Sequence, residues 1–586
     1  MSSTSAAAKR PGHRCRTALV LVAVAAAVAA CGTSGAAPPG AEIVSRPTGA
    51  PNPSPGATQG AQVHGGAAAG LSADAPRPRA SSDAAPTRAA GPPQQTITAR
   101  DGTVLTATVV VPPVPGRYPL AVIPAAWGFP NTVFDVQAKE LSARGYVVLT
   151  YNTRGFFSSG GTVDVSGPRD VSDVSDVISW ALAHTPADPA RVGVAGLSYG
   201  GGIALLAAAA DARVRTVASL SGWTDFGYSL YAADTRHKAA LDLLTSLLQK
   251  TGRSGADFTT FLDDYNGLRN MPSVLAWAKA RSAGSLLDAV NRHHPAVFMA
   301  AAYGDNFFAP NPQIDFFTGL TGPKSLQLAP GDHGTNEIGG LLGIPNGEWS
   351  SAWDWFDRGL RPGSPSAAAH APAAVRLTTD GGGVETYPTW AAATRSTTTL
   401  RLGPAPLGTG DLSPTAATGS WSTSIRSGTD TTANAGTVLI TKALQGISHL
   451  PPTLRLDSVD RRDGAVWQAP PTPLPQRIRG IPTLRLSLTP NVDTGTVVAY
   501  LYATSPTGDS TLLSKAVHTY LGAKPGQPQA ATLAFDPVAT DVLTGCHLSL
   551  VIDTKDDLYL DMDRAGGTVA FGSPSAQPSQ LSVPLG

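Results

Sequence analysis

Residues 191–210, RVGVAGLSYGGGIALLAAAA, constrain the fold of this chain more than any other stretch. The apolar run from Val192 to Ala195 is typical of a buried parallel strand, and the Ala-rich run from Ile203 to Ala210 is typical of a buried helix. The turn between them, Gly196-Leu197-Ser198-Tyr199-Gly200, matches G-x-S-x-G. A strand, this turn and a helix in succession predict a nucleophile elbow with Ser198 at the end of a sheet and the helix N-terminus pointing toward it. The alternative is a glycine-rich turn between two core elements.

Strand-like and helical patterns alternate from residue 95 to residue 360. The predicted strands are 103–111, 120–124, 146–151, 192–195, 214–219, 296–301 and 325–328, and the predicted helices are 134–144, 170–183 and 348–360. Such alternation predicts a mostly parallel sheet with helices on both faces. From 226 to 294 the pattern is mainly helical, and an insertion there lies over the carboxyl ends of the strands. We interpret it as a helical cap over a pocket; a helical excursion packed elsewhere is the alternative.

The composition of the first 94 residues indicates an export signal followed by a flexible tether. Residues 1–31 combine a basic start with an apolar run of signal-peptide length, too short to span a membrane comfortably. The run ends in Val28-Ala29-Ala30-Cys31, which resembles a bacterial lipobox with Val in place of the usual Leu, so we expect lipidation at Cys31. An ordinary signal peptide is the alternative. Residues 32–94 are rich in Ala, Gly, Pro and Ser and predict a disordered tether, so we expect an exported protein that is membrane-anchored or extracellular.

A Pro- and Ala-rich linker is predicted at 361–373, and beyond it the hydrophobic pattern changes to period two. Leucines recur at every second position from 484 to 488, and apolar residues do so from 548 to 552. Together with frequent Pro and Gly turns, this pattern predicts an all-β sandwich over 374–586.

A serine hydroxyl needs a base within hydrogen-bond distance, and in α/β hydrolases the nucleophile is followed by an acid and then by a histidine. Four of the eleven histidines follow Ser198 within the predicted α/β region: His237, His293, His294 and His333. His333 lies in a loop directly after the last predicted strand, where the catalytic histidine of this fold belongs. His293 and His294 precede a strand and suit a boundary of the cap. The alternative for His333 is an exposed loop histidine.

Asp305 is the candidate for the acid that orients His333, because it follows a predicted strand at the same edge of the sheet. Asp332 is adjacent to His333, and adjacent residues rarely place a carboxylate against the neighbouring ring nitrogen. Asp225 is a stronger rival because it also follows a predicted strand, whereas Asp315 lies in a predicted helix.

The oxyanion that forms during acyl transfer needs two hydrogen-bond donors, each worth about 3 kcal/mol. The first predicted donor is the backbone N–H of Tyr199, directly after the nucleophile. The second is expected from the loop after the strand at 120–124, around Trp127 and Gly128.

Composition and motifs exclude several functional classes. The net charge is +1 and only 15% of residues are charged, so no nucleic-acid surface is expected. No cluster of His, Cys or Asp has metal-ligand spacing and no cofactor motif occurs, so we expect neither a metal nor an organic cofactor. The three cysteines, Cys15, Cys31 and Cys546, support no disulfide framework. The sequence does not indicate an oligomeric state.

Several motifs together resemble the X-Pro dipeptidyl-peptidase and cocaine-esterase-like (CocE/NonD) family of serine α/β-hydrolases. They are the nucleophile turn, Asn152-Thr153-Arg154-Gly155 with 158–161, the acid loop at 303–308, and Gly322-Pro323-Lys324. The resemblance runs from residue 95 to the C-terminus and implies an α/β-hydrolase fold with a helical cap, followed by a jelly-roll-like sandwich. Many family members place a tyrosine hydroxyl in the oxyanion hole where Trp127 stands here. The second donor is then the Trp127 indole or a backbone N–H of Trp127 or Gly128.

The predicted triad and the resemblance imply a secreted or surface-tethered serine hydrolase that acts through an acyl-Ser198 intermediate. The resemblance favours an X-Pro dipeptidyl-peptidase, and a carboxylesterase or amide acylase on small acyl substrates is the alternative. The expected partner is therefore a small peptide or ester. A catalytically inactive surface-binding lipoprotein is a further alternative. Arg154 suits either substrate binding or a structural turn.

Overall fold

The computed structural model describes residues 94–363, 374–437, 439 and 452–586. The predicted signal peptide with Cys31, the tether up to residue 93 and most of the predicted linker lie outside these residues. In the described ranges, no helix is both long enough and apolar enough to cross a membrane.

The first part of the chain forms a ten-stranded sheet. Its strands are β1 Gln94–Thr98, β2 Val104–Val110, β3 Tyr118–Pro124, β4 Val147–Tyr151, β5 Ala187–Leu197, β6 Val214–Leu220, β7 Ala296–Ala302, β8 Lys324–Ala329, β9 Val375–Thr378 and β10 Val384–Tyr387. Their order across the sheet is β1-β2-β4-β3-β5-β6-β7-β8-β9-β10. The pairs from β4 to β9 are parallel, and those made by β1, β2 and β10 at the edges are antiparallel.

Helices cover both faces of this sheet. Those outside the cap are α1 Asp135–Ala143, α2 Pro168–His184, α3 Tyr199–Ala210, α9 Pro310–Gly319, α10 Ile338–Leu341 and α11 Gly347–Leu360. Along β3, Leu120 and Val122 belong to one hydrophobic core, whereas Ala121 and Ile123 belong to the other. A strand buried on both faces is apolar at every position, and this explains the continuous apolar runs in the sequence.

Between β6 and β7 the chain forms five α-helices. They are α4 Phe226–Tyr231, α5 Lys238–Thr251, α6 Ala256–Asn266, α7 Met271–Lys279 and α8 Leu287–His293. Side chains of α5 and α6 line a pocket that also contains Ser198. This helical segment therefore covers the carboxyl edge of the sheet.

The remaining strands form a β-sandwich. They are β11 Ser396–Leu402, β12 Thr409–Ser413, β13 Gly419–Arg426, β14 Thr453–Arg455, β15 Ala465–Gln468, β16 Gln476–Gly480, β17 Thr483–Pro490, β18 Gly495–Thr504, β19 Asp509–Tyr520, β20 Gln529–Ala534, β21 Val538–Val542, β22 His547–Asp553, β23 Thr568–Ser573 and β24 Gln580–Leu585. Strand β12 joins the two sheets, because it pairs with β11 in one and with β15 in the other. The predicted fold class, an α/β-hydrolase domain followed by an all-β sandwich, is confirmed.

The hairpin of β9 and β10 lies in the range that the sequence assigned to the sandwich, yet it extends the first sheet. Residues Leu326–Leu328 of β8 pair in parallel with Val375–Leu377 of β9. Val375 and Leu377 are fully buried there. An edge strand leaves unpaired N–H and C=O groups, and β9 satisfies those of β8. Period-two patterning does not tell which sheet a strand joins.

Candidate active site

Ser198 lies in a strained turn between β5 and α3. Its φ of 57° and ψ of −116° lie outside the regions that non-glycine residues favour. A Cβ at Gly196 would lie 2.2 Å from the carbonyl carbon of Gly200, and one at Gly200 would lie 2.3 Å from the carbonyl oxygen of Pro124. Both positions therefore require glycine. The backbone N–H of Ser198 donates to Leu220 on the neighbouring strand β6 (2.8 Å), and this bond fixes the turn at the carboxyl edge of the sheet.

Ser198, His333 and Asp305 form one hydrogen-bonded chain. The Nε2 atom of His333 lies 2.8 Å from Ser198 Oγ, and its Nδ1 atom lies 2.9 Å from Asp305 Oδ2. The Asp305 side chain is fully buried and that of His333 is 9% exposed. The structure thus brings together the three residues that the sequence singled out, each following a different parallel strand. A hydroxyl, an imidazole and a carboxylate in this order are the groups of a serine-type acyl-transfer site.

The loop that carries Asp305 also holds the imidazole. Asp305 Oδ1 accepts hydrogen bonds from the backbone N–H groups of Phe307 (2.9 Å) and Phe308 (2.8 Å). The Phe307 ring stacks on the His333 ring with centroids 4.5 Å apart, and the Phe308 ring meets it edge-on at 5.0 Å. The carboxylate and the imidazole are therefore both fixed in orientation.

Burial and charge act on His333 in opposite directions. Burial lowers the pKa of His333, but the charge of Asp305 and its hydrogen bond raise it, with further contributions from Asp332 and Glu337. The net result is a His333 pKa above the ordinary value for histidine. The imidazolium that forms when His333 accepts a proton is therefore stabilised in this site.

Asp332, the rival next to His333, binds the two catalytic loops to each other. Its Oδ1 accepts from the backbone N–H groups of Asn306 (2.9 Å) and His333 (2.7 Å). Its Oδ2 accepts from the Asn306 amide side chain (2.9 Å) and from the backbone N–H of Leu439 (2.8 Å). All these donors are backbone or amide groups, so Asp332 positions the loop and does not orient the imidazole ring.

The other rival residues have different environments. Asp225 caps α4 by accepting a hydrogen bond from the backbone N–H of Tyr228 (2.9 Å), and Asp315 is exposed on α9. His293 places Nδ1 2.9 Å from the carbonyl oxygen of Ala208. Across the described part of the chain, no group of three or more His, Cys, Asp and Glu side chains is arranged to hold a metal ion.

Arg154, for which the sequence left two roles open, has a structural one. Its side chain is 3% exposed. The guanidinium donates from Nε to Asp173 Oδ2 (2.8 Å) and from Nη1 to Asp101 Oδ2 (2.9 Å). These bonds tie the loop after β4 to α2 and to the turn before β2.

Two buried residues behind His333 were not predicted. The Ser221 hydroxyl donates to Glu337 Oε1 (3.0 Å) and accepts from the backbone N–H of Gly334 (3.2 Å), the residue after His333. Burial and the nearby Glu348 raise the pKa of Glu337 to about 8. Neither residue belongs to a motif of fixed spacing, so only the folded structure reveals that they support the histidine loop.

Two of the residues predicted to supply the oxyanion donors, Tyr199 and Trp127, line the pocket that contains Ser198. Tyr199 begins α3, so the helix offers its backbone N–H no carbonyl partner. The Trp127 indole N–H donates to the carbonyl oxygen of Leu244 on α5 (2.9 Å), so it is already engaged. Among the donors that the sequence left open, the backbone N–H groups of Trp127 and Gly128 therefore remain for the second position.

An apolar pocket contains the Ser198 side chain. Its other lining side chains come from the catalytic loops and from the cap, and among the residues that the structure describes none of them is charged: Trp127, Val165, Tyr199, Trp223, Phe226, Leu241, Leu244, Phe258, Phe261 and Phe308. Their rings interlock, with 4.7 Å between the centroids of Trp223 and Phe308 and 5.1 Å between those of Trp127 and Tyr199. Most of these residues were not predicted, because they lie far apart in the sequence and share no motif.

Two family models match the chain. The model of the X-Pro dipeptidyl-peptidase (S15 family) matches residues 101–335, and the model of the X-Pro dipeptidyl-peptidase C-terminal non-catalytic domain matches residues 367–581. The first match contains Ser198, Asp305 and His333, and the second covers most of the sandwich.

Two curated relatives are similar to parts of the chain. A polyketide transferase of Penicillium crustosum is 34% identical over an alignment of 240 positions, which covers 34% of this chain and 76% of that protein. An uncharacterized 31.7 kDa protein of Escherichia coli is 31% identical over 111 residues, which are 19% of this chain. The chain covers only 39% of the length of that E. coli protein.

Solved structures share the arrangement of both domains. An aminopeptidase from a Thaumarchaeota archaeon covers 86% of this chain at 15% identity, with a TM-score of 0.65 and 99% of its own chain matched. An α-amino acid ester hydrolase covers 86% at 18% identity, with a TM-score of 0.63 and 98% matched. A CocE/NonD family hydrolase of Staphylococcus aureus covers 84% at 13% identity, with a TM-score of 0.62 and 92% matched. At these identities the similarity shows the fold.

Proposed function

This chain belongs to the X-Pro dipeptidyl-peptidase and CocE/NonD family of hydrolases, and from that premise we propose that it cleaves ester or amide bonds through an acyl-Ser198 intermediate. The observation that carries the proposal is the hydrogen-bonded chain from Ser198 through His333 to Asp305, with links of 2.8 and 2.9 Å. A catalytically inactive binding protein would not require a serine in a strained turn that is hydrogen-bonded to a histidine and a carboxylate. The structure therefore favours the enzyme over the binding lipoprotein.

Acylation begins when Ser198 Oγ attacks the carbonyl carbon of the substrate and His333 Nε2 takes its proton. The electron pair of the carbonyl bond moves to oxygen, and the backbone N–H of Tyr199 with one from Trp127 or Gly128 stabilises the oxyanion. The Asp305 carboxylate holds His333 Nδ1–H and stabilises the imidazolium. Collapse of the tetrahedral intermediate expels the alcohol or amine, which takes the proton from Nε2.

Deacylation repeats these steps with water as the nucleophile. His333 Nε2 takes a proton from water while the oxygen attacks the acyl carbon. The bond to Ser198 Oγ then breaks, Oγ regains the proton from Nε2, and the carboxylic acid leaves. The same two backbone donors stabilise this second oxyanion.

Two finer functions follow from different observations. The family model favours an X-Pro dipeptidyl-peptidase, which releases a dipeptide and must accommodate a free amino terminus. The uncharged lining of the pocket favours a carboxylesterase or amide acylase. Both use the same acyl-Ser198 chemistry, so they differ in the acyl group that the site accepts and in whether an amine or an alcohol leaves.

We propose further that the protein works outside the cytoplasm, anchored through Cys31. The support is the basic and apolar start, the lipobox-like residues and the tether that follows them. Wild type should then take up a radiolabelled fatty acid and fractionate with membranes, whereas Cys31→Ser should do neither. Equal behaviour of the two proteins would instead indicate an ordinary signal peptide.

A fluorophosphonate probe tests the enzymatic proposal, because it reacts only with an activated serine. Wild type should be labelled, and Ser198→Ala should not. With p-nitrophenyl butyrate and Gly-Pro-p-nitroanilide as substrates, kcat of Ser198→Ala should fall by on the order of 10³-fold or more on whichever substrate the wild type accepts. Absence of both labelling and turnover in folded wild type would leave a binding protein.

A further inference from the structure

We propose that the pocket at Ser198 selects a short, uncharged, apolar acyl group. The protein would then hydrolyse esters or amides of such acids and discriminate against substrates whose acyl part carries a free ammonium. The inference rests on the proposed function, since it names the acyl group that the same Ser198 site accepts. The proposal depends on where the polar atoms of the pocket-lining side chains make their hydrogen bonds.

The two tryptophans of the wall use their only polar atoms elsewhere. The indole N–H of Trp127 donates to the carbonyl oxygen of Leu244 (2.9 Å), and that of Trp223 donates to the carbonyl oxygen of Arg281 (2.8 Å). Both rings therefore present carbon to the space around Ser198. The bond to Leu244 also fixes the cap against the loop that carries Trp127.

The hydroxyl of Tyr199, the tyrosine that lines the pocket, is also hydrogen-bonded outside the pocket. The Tyr199 hydroxyl donates to Asp170 Oδ2 (2.6 Å) and accepts from the backbone N–H of Ser166 (2.9 Å). Ser166 N–H also donates to Asp170 Oδ2 (2.9 Å), so that oxygen has two donors. Asp170 is itself buried behind the ring and does not contribute to the pocket lining.

The remaining walls are aliphatic or phenyl. Val165, Leu241 and Leu244 are aliphatic, and the other four side chains are phenylalanines. An ammonium placed here would lose its hydration and would find no carboxylate among the lining side chains, only aromatic rings and the Ser198 hydroxyl. A methyl group of similar size would instead gain apolar contact. The pocket therefore opposes a charged substituent at the acyl carbon.

The size of the pocket points the same way. Its free volume is about 20 Å³, little more than one water molecule requires by the same measure. Each group added to the acyl part therefore requires further movement of the lining side chains, and a short acyl chain requires less movement than a dipeptide. Size and polarity together favour the acid part of a simple ester or amide.

The test compares two substrates of the same shape, p-nitrophenyl isobutyrate and the p-nitrophenyl ester of alanine, in which an ammonium replaces one methyl group. At about pH 6 most of the amino group stays protonated, because an α-amino group has a pKa near 8, which the adjacent ester lowers only in part. For wild type, kcat/KM should be on the order of 100-fold higher for the isobutyrate. It should also exceed the values for p-nitrophenyl octanoate and Gly-Pro-p-nitroanilide. Equal or faster turnover of the alanine ester or the dipeptide would overturn the proposal, and faster turnover of the octanoate would overturn the size limit.

A pair of variants tests the cause of the selectivity. Leu244→Asp adds a carboxylate to the wall, and Leu244→Asn adds an uncharged group of the same shape. The ratio of kcat/KM for the alanine ester to that for the isobutyrate should be about tenfold higher in Leu244→Asp than in Leu244→Asn. An equal ratio in the two variants would contradict the role assigned to wall charge. The same pair at Leu241 serves if either protein fails to fold.

Fluorophosphonate labelling separates the two possible failures. If wild type is folded but is not labelled and hydrolyses neither ester, the proposed function fails. If it is labelled at Ser198 and prefers the alanine ester, the serine hydrolase stands and only the inference about the acyl group is overturned.

Discussion

Asp305 acts on His333 through both a hydrogen bond and a charge, and the Asp305→Asn variant removes the charge while keeping the size. By analogy with serine proteases, kcat should fall by about 10⁴-fold. Catalysis requires neutral His333, and the carboxylate raises the His333 pKa. The acid limb of the kcat/KM profile should therefore move to lower pH in the variant. Steady-state kinetics across the pH range measure both effects, and Asp225→Asn is the control that should change neither.

The Trp127 indole is bonded to Leu244, so it should not serve as an oxyanion donor. Trp127→Phe keeps an aromatic ring and removes the indole N–H. We expect kcat to fall less than about tenfold, with a larger effect on KM because the cap loses a hydrogen bond. A loss of kcat of about 10²- to 10³-fold, typical of a missing oxyanion donor, would show that the indole moves onto the oxyanion during the reaction.

The sequence predicted the position of a site residue best where that residue directly follows a strand of the parallel sheet. Ser198, Asp305 and His333 each do so, and the carboxyl ends of parallel strands meet at one edge. The wall of the pocket was not predictable in this way. Trp223 and Phe308, for example, pack ring against ring although they lie on different loops, and neither local sequence indicates this contact.

At the scale of elements, the loop that carries His333 depends on the buried carboxyl of Glu337. Its pKa is about 8 in the folded protein against an ordinary value of 4.5, so the folded state holds a proton that the unfolded state releases. The stability from this site is present below the ordinary pKa and is lost as pH rises toward 8.

Glu337→Gln carries a neutral group at every pH. Between about pH 5 and pH 8, its Tm should therefore fall less than the wild-type Tm, by about 2–5 °C. Thermal unfolding followed by circular dichroism measures the difference, and the partly exposed Glu140→Gln is the matched control. Parallel curves for wild type and Glu337→Gln would show that Glu337 is already ionised in the folded protein.

Strand β18 shows why the hydrophobic periodicity of a sequence does not by itself reveal what a strand packs against. Val497, Ala499 and Leu501 lie in the sandwich core, while Tyr500 and Tyr502 lie in the core that includes the cap and the catalytic domain. Because both faces of β18 are buried, its sequence does not alternate between apolar and polar residues. Strand β17 does alternate, since Leu484, Leu486 and Leu488 are separated by partly exposed residues. The sequence predicts a strand here. It does not reveal that the second face of this strand packs against the cap and the catalytic domain.

At the scale of the whole molecule, the sandwich supports the cap and the catalytic loops. The Thr235 and Thr519 hydroxyls lie 2.8 Å apart, and the backbone N–H of Leu560 donates to the carbonyl oxygen of Arg236 (2.9 Å). The backbone N–H of Leu439 reaches the catalytic loop at Asp332. These contacts favour a supporting role for the sandwich.

Arg479 of β16 joins the sandwich to the catalytic sheet. It is fully buried and donates to both carboxylate oxygens of Glu385 on β10 (2.8 and 2.9 Å). The hydrogen bond from Arg479, aided by Tyr387, lowers the pKa of Glu385 to about 2. Since the pKa is depressed by folding, the stability from this pair is present above the ordinary pKa and is lost as pH falls toward 2.

Arg479→Met should lower the free energy of unfolding by about 3–5 kcal/mol, because Glu385 loses its main partner. Urea denaturation at neutral pH measures the loss. The double variant Glu385→Gln/Arg479→Met should recover part of it, because residue 385 is then uncharged. The recovery should be incomplete, because Asp541 still lacks the hydrogen bond that Arg479 donates (2.7 Å). Equal stability of the single and double variants would mean that the pair does not couple the two domains.

The central claim is that Ser198 carries the acyl group during turnover. Wild type mixed with saturating p-nitrophenyl isobutyrate should be quenched in acid and analysed by peptide mass spectrometry. We expect the isobutyryl mass on the peptide that contains Ser198. In Ser198→Ala we expect no adduct and a fall in kcat of on the order of 10³-fold or more. An adduct on another residue, or an undiminished kcat in Ser198→Ala, would contradict the account.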